Sequence, residues 1–210
     1  ALRQPFVMKD SVKLYGGFAG TEHYFSQRNL AAGDSSILMG NDTSVISNND
    51  NGLTAAALLD GFSITGGHAG YGGGMYNYKA SPTISNCTFW GNVADTVGGA
   101  LYLNKFNSAI ARCIFSGNIA RNIFGICGGG AIFNDGNDSL FTITNCIFTG
   151  NSTKTTGMGG ALNSDRGHIH IDSCTFSGNT ADSSGGAIYS SGNTTTANIR
   201  ITASVFQNNK

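Results

Sequence analysis

The stretch GGALNSDRGHIHIDSCTFSGN, residues 159–179, decides the reading of this chain, because its two words return along the sequence. A glycine pair followed by a small or apolar residue stands at Gly73, Gly98, Gly129, Gly159 and Gly185. Each is answered downstream by Phe-x-x-Asn, at Phe89/Asn92, Phe115/Asn118, Phe148/Asn151, Phe176/Asn179 and Phe206/Asn209. The phenylalanines lie 26, 33, 28 and 30 residues apart. A period in this range, punctuated by Gly, Asn, Ser and Thr, marks a solenoid whose repeats bury their apolar faces against one another.

The repeat holds at single positions. Ile84, Ile110, Ile143, Ile171 and Ile201 form one column; Cys87, Cys113, Cys146, Cys174 and then Ser204 form the next. Met75, Leu101, Ile132, Leu162 and Ile188 follow the glycine pairs. Each repeat therefore carries three short strand-like pieces separated by Asn, Gly, Asp and Ser. Successive strand residues alternate faces, so fixed apolar columns point to one interior. A helical reading fails, since no 3.6-residue stripe is present and interior glycine costs roughly 1 kcal/mol per position. The expected fold is all-β: a parallel β-helix solenoid, three short strands per rung, with rungs of about 25–33 residues stacked about 4.8 Å apart. A single domain spans 1–210, with less regular lead-in rungs over 1–71 and the regular array over 72–210. Both ends read as cut, as in a segment of a longer chain, because solenoid ends need caps.

The words VKLYGGFAGTE (12–22), LDGFSITGG (59–67), SPTISNCTFWGN (81–92) and GGAIY (185–189) carry a resemblance. They resemble the right-handed parallel β-helix repeats of bacterial cell-surface proteins. That family includes polymorphic outer membrane protein repeats, with paired GGA(I/L/V) and FxxN motifs, and secreted β-helix proteins of Bacteroidetes type. The resemblance covers nearly the whole chain. It implies the right hand of the helix and an extracellular or bacterial cell-surface location; it implies no chemistry, because the matching residues are structural.

Composition excludes several functions. Charged residues make up 11% of the chain, 12 basic against 12 acidic, with no basic cluster, so nucleic-acid binding lacks its electrostatic footprint. The longest apolar run is Ala55–Leu59, far short of a membrane-spanning helix, and no membrane insertion is expected within this segment. Four of the five cysteines share one inward column, a ladder of small buried thiols whose parallel side chains suit disulfides poorly; Cys127 is the odd one.

The outward positions are where function is sought. The FxxN asparagines read as an internal amide ladder, and Asn86 and Asn145 as bends, with Arg112, Ser173 and Ala203 at the same place in other rungs. Tyr76, Tyr102, Phe133, Asn163 and Tyr189 fall outward beside the glycine-pair column. Its aromatic members, Tyr76, Tyr102, Phe133 and Tyr189, are a candidate stripe for stacking on sugar rings or a partner protein, unless flanking loops cover it. Thr88, Ile114, Ile147, Thr175 and Val205 form a second outward column, explained by β-propensity. His168, His170 and Asp172 alternate with buried isoleucines and share one strand face, a weak candidate for metal because no fourth ligand is evident. Asp135, Asp138, Asp165 and Arg166 on adjacent rungs are the enzyme-like cluster, against the simpler reading of a polar turn. Asp95 and Asp182 occupy corresponding loop positions too far apart to cooperate. No cofactor is implied. The expected role is that of a non-catalytic structural or adhesive rod of a secreted or surface-displayed protein, acting by end-to-end self-assembly or through loops 119–127, 134–139 and 154–158 and the exposed columns, which would contact other copies, a cell-surface protein or a glycan. The alternative is a carbohydrate-active or carbohydrate-binding β-helix.

Overall fold

A computed structural model of the chain describes residues 4–30, 36–125, 128–136, 140–191 and 197–210; Cys127 and Asp138 lie outside the described residues. The strands pair in parallel throughout and wind about six turns of solenoid. Three ladders are the expected ones. The glycine-pair face stacks Ile46–Asn49, Met75–Tyr78, Leu101–Asn104, Ile132–Asp135, Leu162–Asp165 and Ile188–Ser191. The isoleucine face stacks Lys13–Tyr15, Leu58–Asp60, Thr83–Ser85, Ala109–Ala111, Leu140–Thr144, Gly167–Asp172 and Ala197–Thr202. The phenylalanine face stacks Ser36–Met39, Phe62–Thr65, Thr88–Trp90, Ile114–Ser116, Ile147–Thr149, Thr175–Ser177 and Val205–Gln207. A shorter fourth ladder, His68–Tyr71, Val93–Val97, Ile119–Ala120 and Ser152–Thr153, joins them, its last three strands directly following Asn92, Asn118 and Asn151.

Register is pinned because a one-residue slip would turn every apolar column outward. Ile84, Ile110, Ile143, Ile171 and Ile201 are consecutive partners. So are Phe89, Phe115, Phe148, Phe176 and Phe206, whose rings stack 4.6–5.2 Å apart and within 1–7° of parallel. Each such pair adds about 0.5–1.5 kcal/mol to the burial of the rings. Cys87, Cys113, Cys146 and Cys174 are buried free thiols, and burial pushes the Cys113 thiol well above its ordinary range.

Asparagine closes the corner after the phenylalanine strand. Asn92 Nδ2 donates to Asn118 Oδ1 at 3.1 Å, Asn118 to Asn151 at 3.0 Å, and Asn151 to Asn179 and Asn179 to Asn209 at 2.9 Å. Each amide also donates to a main-chain carbonyl of the preceding rung, as Asn151 does to Phe115 O at 2.9 Å. Its carbonyl accepts a second bond, from the preceding asparagine's backbone N–H, as Asn151 Oδ1 does from Asn118 N at 3.0 Å. Buried amides in such a file are satisfied without water.

The bend between the isoleucine and phenylalanine strands is one residue in the left-handed region. Asn86, Arg112, Asn145, Ser173 and Ala203 have φ of 51°, 53°, 53°, 54° and 45°. Asparagine tolerates this conformation; alanine there costs about 1–2 kcal/mol. The glycine pair has two distinct reasons. Gly98 and its counterparts Gly129, Gly159 and Gly185 have φ of 66–72°. The second glycine lacks room: a Cβ on Gly99, Gly130 or Gly160 would lie 2.6 Å from the backbone N of Ile119, Ser152 or Thr180. In the first copy the register aligns Gly72–Gly73–Gly74 with Gly98–Gly99–Ala100, so the pair there is Gly72–Gly73.

Candidate functional site

The aromatic stripe lies outside the helix interior, as period two requires, but it is not an open platform. Tyr102 and Phe133 are only 8% and 6% exposed, and Tyr76 and Tyr189 are half-buried. Val97 and Tyr76 pack with Tyr102 and Phe133 into a second small apolar cluster, and Tyr71 meets Tyr102 edge-on at 5.4 Å. Tyr102 stacks on Tyr76 at 5.1 Å and on Phe133 at 6.1 Å. Strand alternation fixes the side of the sheet; it does not tell whether the preceding loop folds back over it. The Tyr102 hydroxyl donates to Asp135 Oδ2 at 2.8 Å, and desolvation together with this carboxylate drives its ionisation far above the ordinary tyrosine range.

The acidic cluster assembles in part. Asp135 and Asp165 are register partners on adjacent glycine-pair strands. Arg166 reaches both, with Nη2 at 3.3 Å from Asp165 and 3.9 Å from Asp135. Asp135 also accepts from Asn104 Nδ2 at 3.0 Å, and Asp165 from Ser191 Oγ at 3.4 Å. Both carboxylates are therefore compensated by groups of the protein itself. Asp95 and Asp182 do not meet; Asp182 accepts from the backbone of Thr155 at 2.9 Å.

His168, His170 and Asp172 occupy the outward side of their strand, alternating with buried Ile169 and Ile171. Residues four apart on a strand are about 13 Å apart, so His168 and Asp172 cannot share one ion. Asp172 is engaged elsewhere: it accepts from Thr202 Oγ1 and Ser173 Oγ, and these bonds hold its carboxyl below the usual range. Among the described residues no group of three His, Cys, Asp or Glu side chains is placed to hold a metal. The two histidines instead border a shallow depression of about 250 Å³ with Leu140 and Arg200.

Two charged groups escaped the sequence reading. On the fourth ladder, Asp95 Oδ1 lies 3.0 Å from His68 Nε2 and 3.1 Å from Arg121 Nη1, with Asp42 3.9 Å from His68 Nδ1. The bond to His68, reinforced by Arg121, holds the Asp95 carboxyl below its ordinary range. The signal was present: His68, Asp95 and Arg121 are spaced 27 and 26 residues, one rung each. In the lead-in region Arg28 is half-buried against Asp60 and donates to Gly16 O, while its guanidinium lies 5.4–6.0 Å from the rings of Tyr15, Phe18 and Phe25. Ser85 and Asn86 complete the shell around Asp60, so this clamp ties the 16–30 loop to the first bend.

The comparison that bears on this architecture falls on one bend, one phenylalanine strand, one FxxN and one glycine pair. Residues 173–191 match the Chlamydia polymorphic membrane protein (Chlamydia_PMP) repeat. The matched stretch runs from the left-handed Ser173 through Phe176, Asn179 and Gly185–Gly186 to Ser191. Those are the positions that repeat down the rod, and over them the chain is similar to that repeat. No curated protein and no solved structure matches the chain.

Proposed function

We propose that this chain is a rigid, non-catalytic rod segment of a surface-displayed or secreted bacterial protein, and that it works by adhesion through its outward columns and loops. The observation that carries the reading is the division of labour between positions. The repeated residues are spent on the interior, the bends and the glycine contact. The loops differ from rung to rung in length and sequence, and loops on such a scaffold are where recognition is placed. Two of these loops carry apolar side chains in solvent: Ile123 and Phe124 are 53% and 70% exposed, Tyr24 and Phe25 are 72% and 59% exposed. The mutual compensation of Asp135, Asp165 and Arg166 supports a structural role for that cluster.

Antibody labelling of intact cells of the native host tests the display: signal without permeabilisation is expected, and signal only after permeabilisation refutes it. The carbohydrate-active alternative draws on the register of Asp135 with Asp165, which sets two carboxylates on neighbouring rungs. Release of unsaturated or reducing ends from acidic polysaccharide, lost in Asp165→Asn and Arg166→Ala, would replace the adhesive reading with that one.

A further inference from the structure

One outward column of the isoleucine face runs unbroken through seven strands. It begins at Lys13, passes Leu58, Thr83, Ala109 and Thr142, and ends at His170 and Arg200; all but one step are direct register partners, and Thr83 falls in line with Ala109 because Ile84 beside it pairs with Ile110. Six strand spacings make it about 29 Å long. Its two ends are basic, its middle is small and uncharged, and it contains no acid. A surface depression lies at each end. One, of about 500 Å³, is bordered by Lys13, Leu58 and Thr83; the other, of about 250 Å³, by Leu140, His168, His170 and Arg200.

The nearest carboxylates are occupied. Asp10 accepts from the backbone and hydroxyl of Thr54, both at 2.8 Å, and Asp172 is held by Thr202 and Ser173. The strands beside the histidines bring no further acid: Leu140–Thr144 has no titratable side chain, and Ala197–Thr202 contributes Arg200. The two basic ends are separated by roughly three and a half Debye lengths at physiological salt, so neither strengthens the other's hold on a small ion. A ligand gains from both only by spanning them, and then the second contact is intramolecular.

We infer that this column is the docking track for a linear acidic glycan, lying across the strands with anionic groups at the Lys13 end and at the His168–His170–Arg200 end. Leu58 and Leu140 offer apolar surface to the carbon faces of sugar rings, and the hydroxyls of Thr83 and Thr142 lie between. The inference rests on the adhesive reading above and supplies its ligand class.

The test is titration of the purified chain with galacturonate monomer, with oligogalacturonate long enough to span the column, and with a neutral oligosaccharide of equal length. The long acid is expected to bind at least tenfold tighter than the monomer, and the neutral chain not measurably. Lys13→Gln and Arg200→Gln, both at exposed positions, are each expected to bring the long ligand down to monomer affinity while circular dichroism is unchanged. Equal affinity for monomer and oligomer, equal affinity for the neutral chain, or indifference to both substitutions overturns the track. That result would leave intact-cell labelling untouched, and failed labelling would leave this binding untouched, so the two readings fall separately.

Discussion

Replacing Gly130 with alanine should be far more damaging than replacing Gly117, although both are glycines of the same repeat. At Gly117 an added Cβ meets nothing within 4 Å, and the only penalty is its φ of 60°. That penalty is about 1–2 kcal/mol, offset by roughly 0.4–1 kcal/mol from the stiffer unfolded chain. At Gly130 the Cβ would lie 2.6 Å from Ser152 N, with the carbonyl of Gly160 closer still. These are backbone atoms of neighbouring turns and cannot rotate away. Restoring ordinary contact requires the segments to part by most of an ångström, which breaks Ser152 N–H to Asn118 O (2.9 Å) and Gly130 N–H to Gly159 O (3.1 Å). Buried donors and acceptors left without partners cost about 1–3 kcal/mol each, so Gly130→Ala should lose on the order of 4 kcal/mol or more. Urea unfolding followed by circular dichroism measures the loss, and hydrogen exchange shows whether it is centred on the turns around Ser152 and Gly160. If Gly130→Ala loses less than about 1 kcal/mol, or Gly117→Ala loses as much as Gly130→Ala, close backbone approach is not the reason for the second glycine.

Three further outcomes are expected. Asn151→Ala removes four hydrogen bonds at once and should lose about 4 kcal/mol or more by the same unfolding assay, with an effect near 1 kcal/mol refuting the ladder. Leu103→Asn should cost within about 1 kcal/mol, against about 2–5 for Leu103→Ala, because Leu103 lies in register between Asn77 and Asn134 and the buried Asn134 Oδ1 has no partner among the described residues; equal losses for the two variants refute this. Asp95 has a folded-state pKa depressed below 3.8, so its contribution to stability is present above that value and disappears as pH falls through the lower, folded one; Asp95→Asn should flatten that acid limb, and an unchanged limb in an acid titration would count against the His68–Arg121 pairing.

The interior was legible in the sequence because a solenoid writes the same contact many times. The Ile, Cys and Phe columns each recur at one offset, and the structure stacks them in that order. The bends were legible for the same reason, even where Arg112 and Ala203 replace the asparagine that favours a left-handed residue. The outer layer was less so. Period two placed Tyr102 and Phe133 outside the sheet, but their cover comes from Val97 and Tyr71, strand ends of the fourth ladder that have no counterpart in its shorter later strands. The fourth ladder shrinks from five residues at Val93–Val97 to two at Ser152–Thr153, too short for an alternation pattern. The Arg28–Asp60 clamp joins residues 32 apart in the irregular lead-in, where no repeat offers a comparison. The two histidines were seen as a strand face, while the basic column they complete needed the pairing with Arg200 and the path back to Lys13.

The amide file from Asn92 to Asn209 has a further consequence. Every link donates toward the higher-numbered rung, so the side-chain dipoles add head to tail instead of cancelling. The rod is thus electrically directional along its axis, and polarisation makes each added turn hold its predecessors more firmly than an isolated pair of turns would hold together. Length in such an array is itself a source of rigidity.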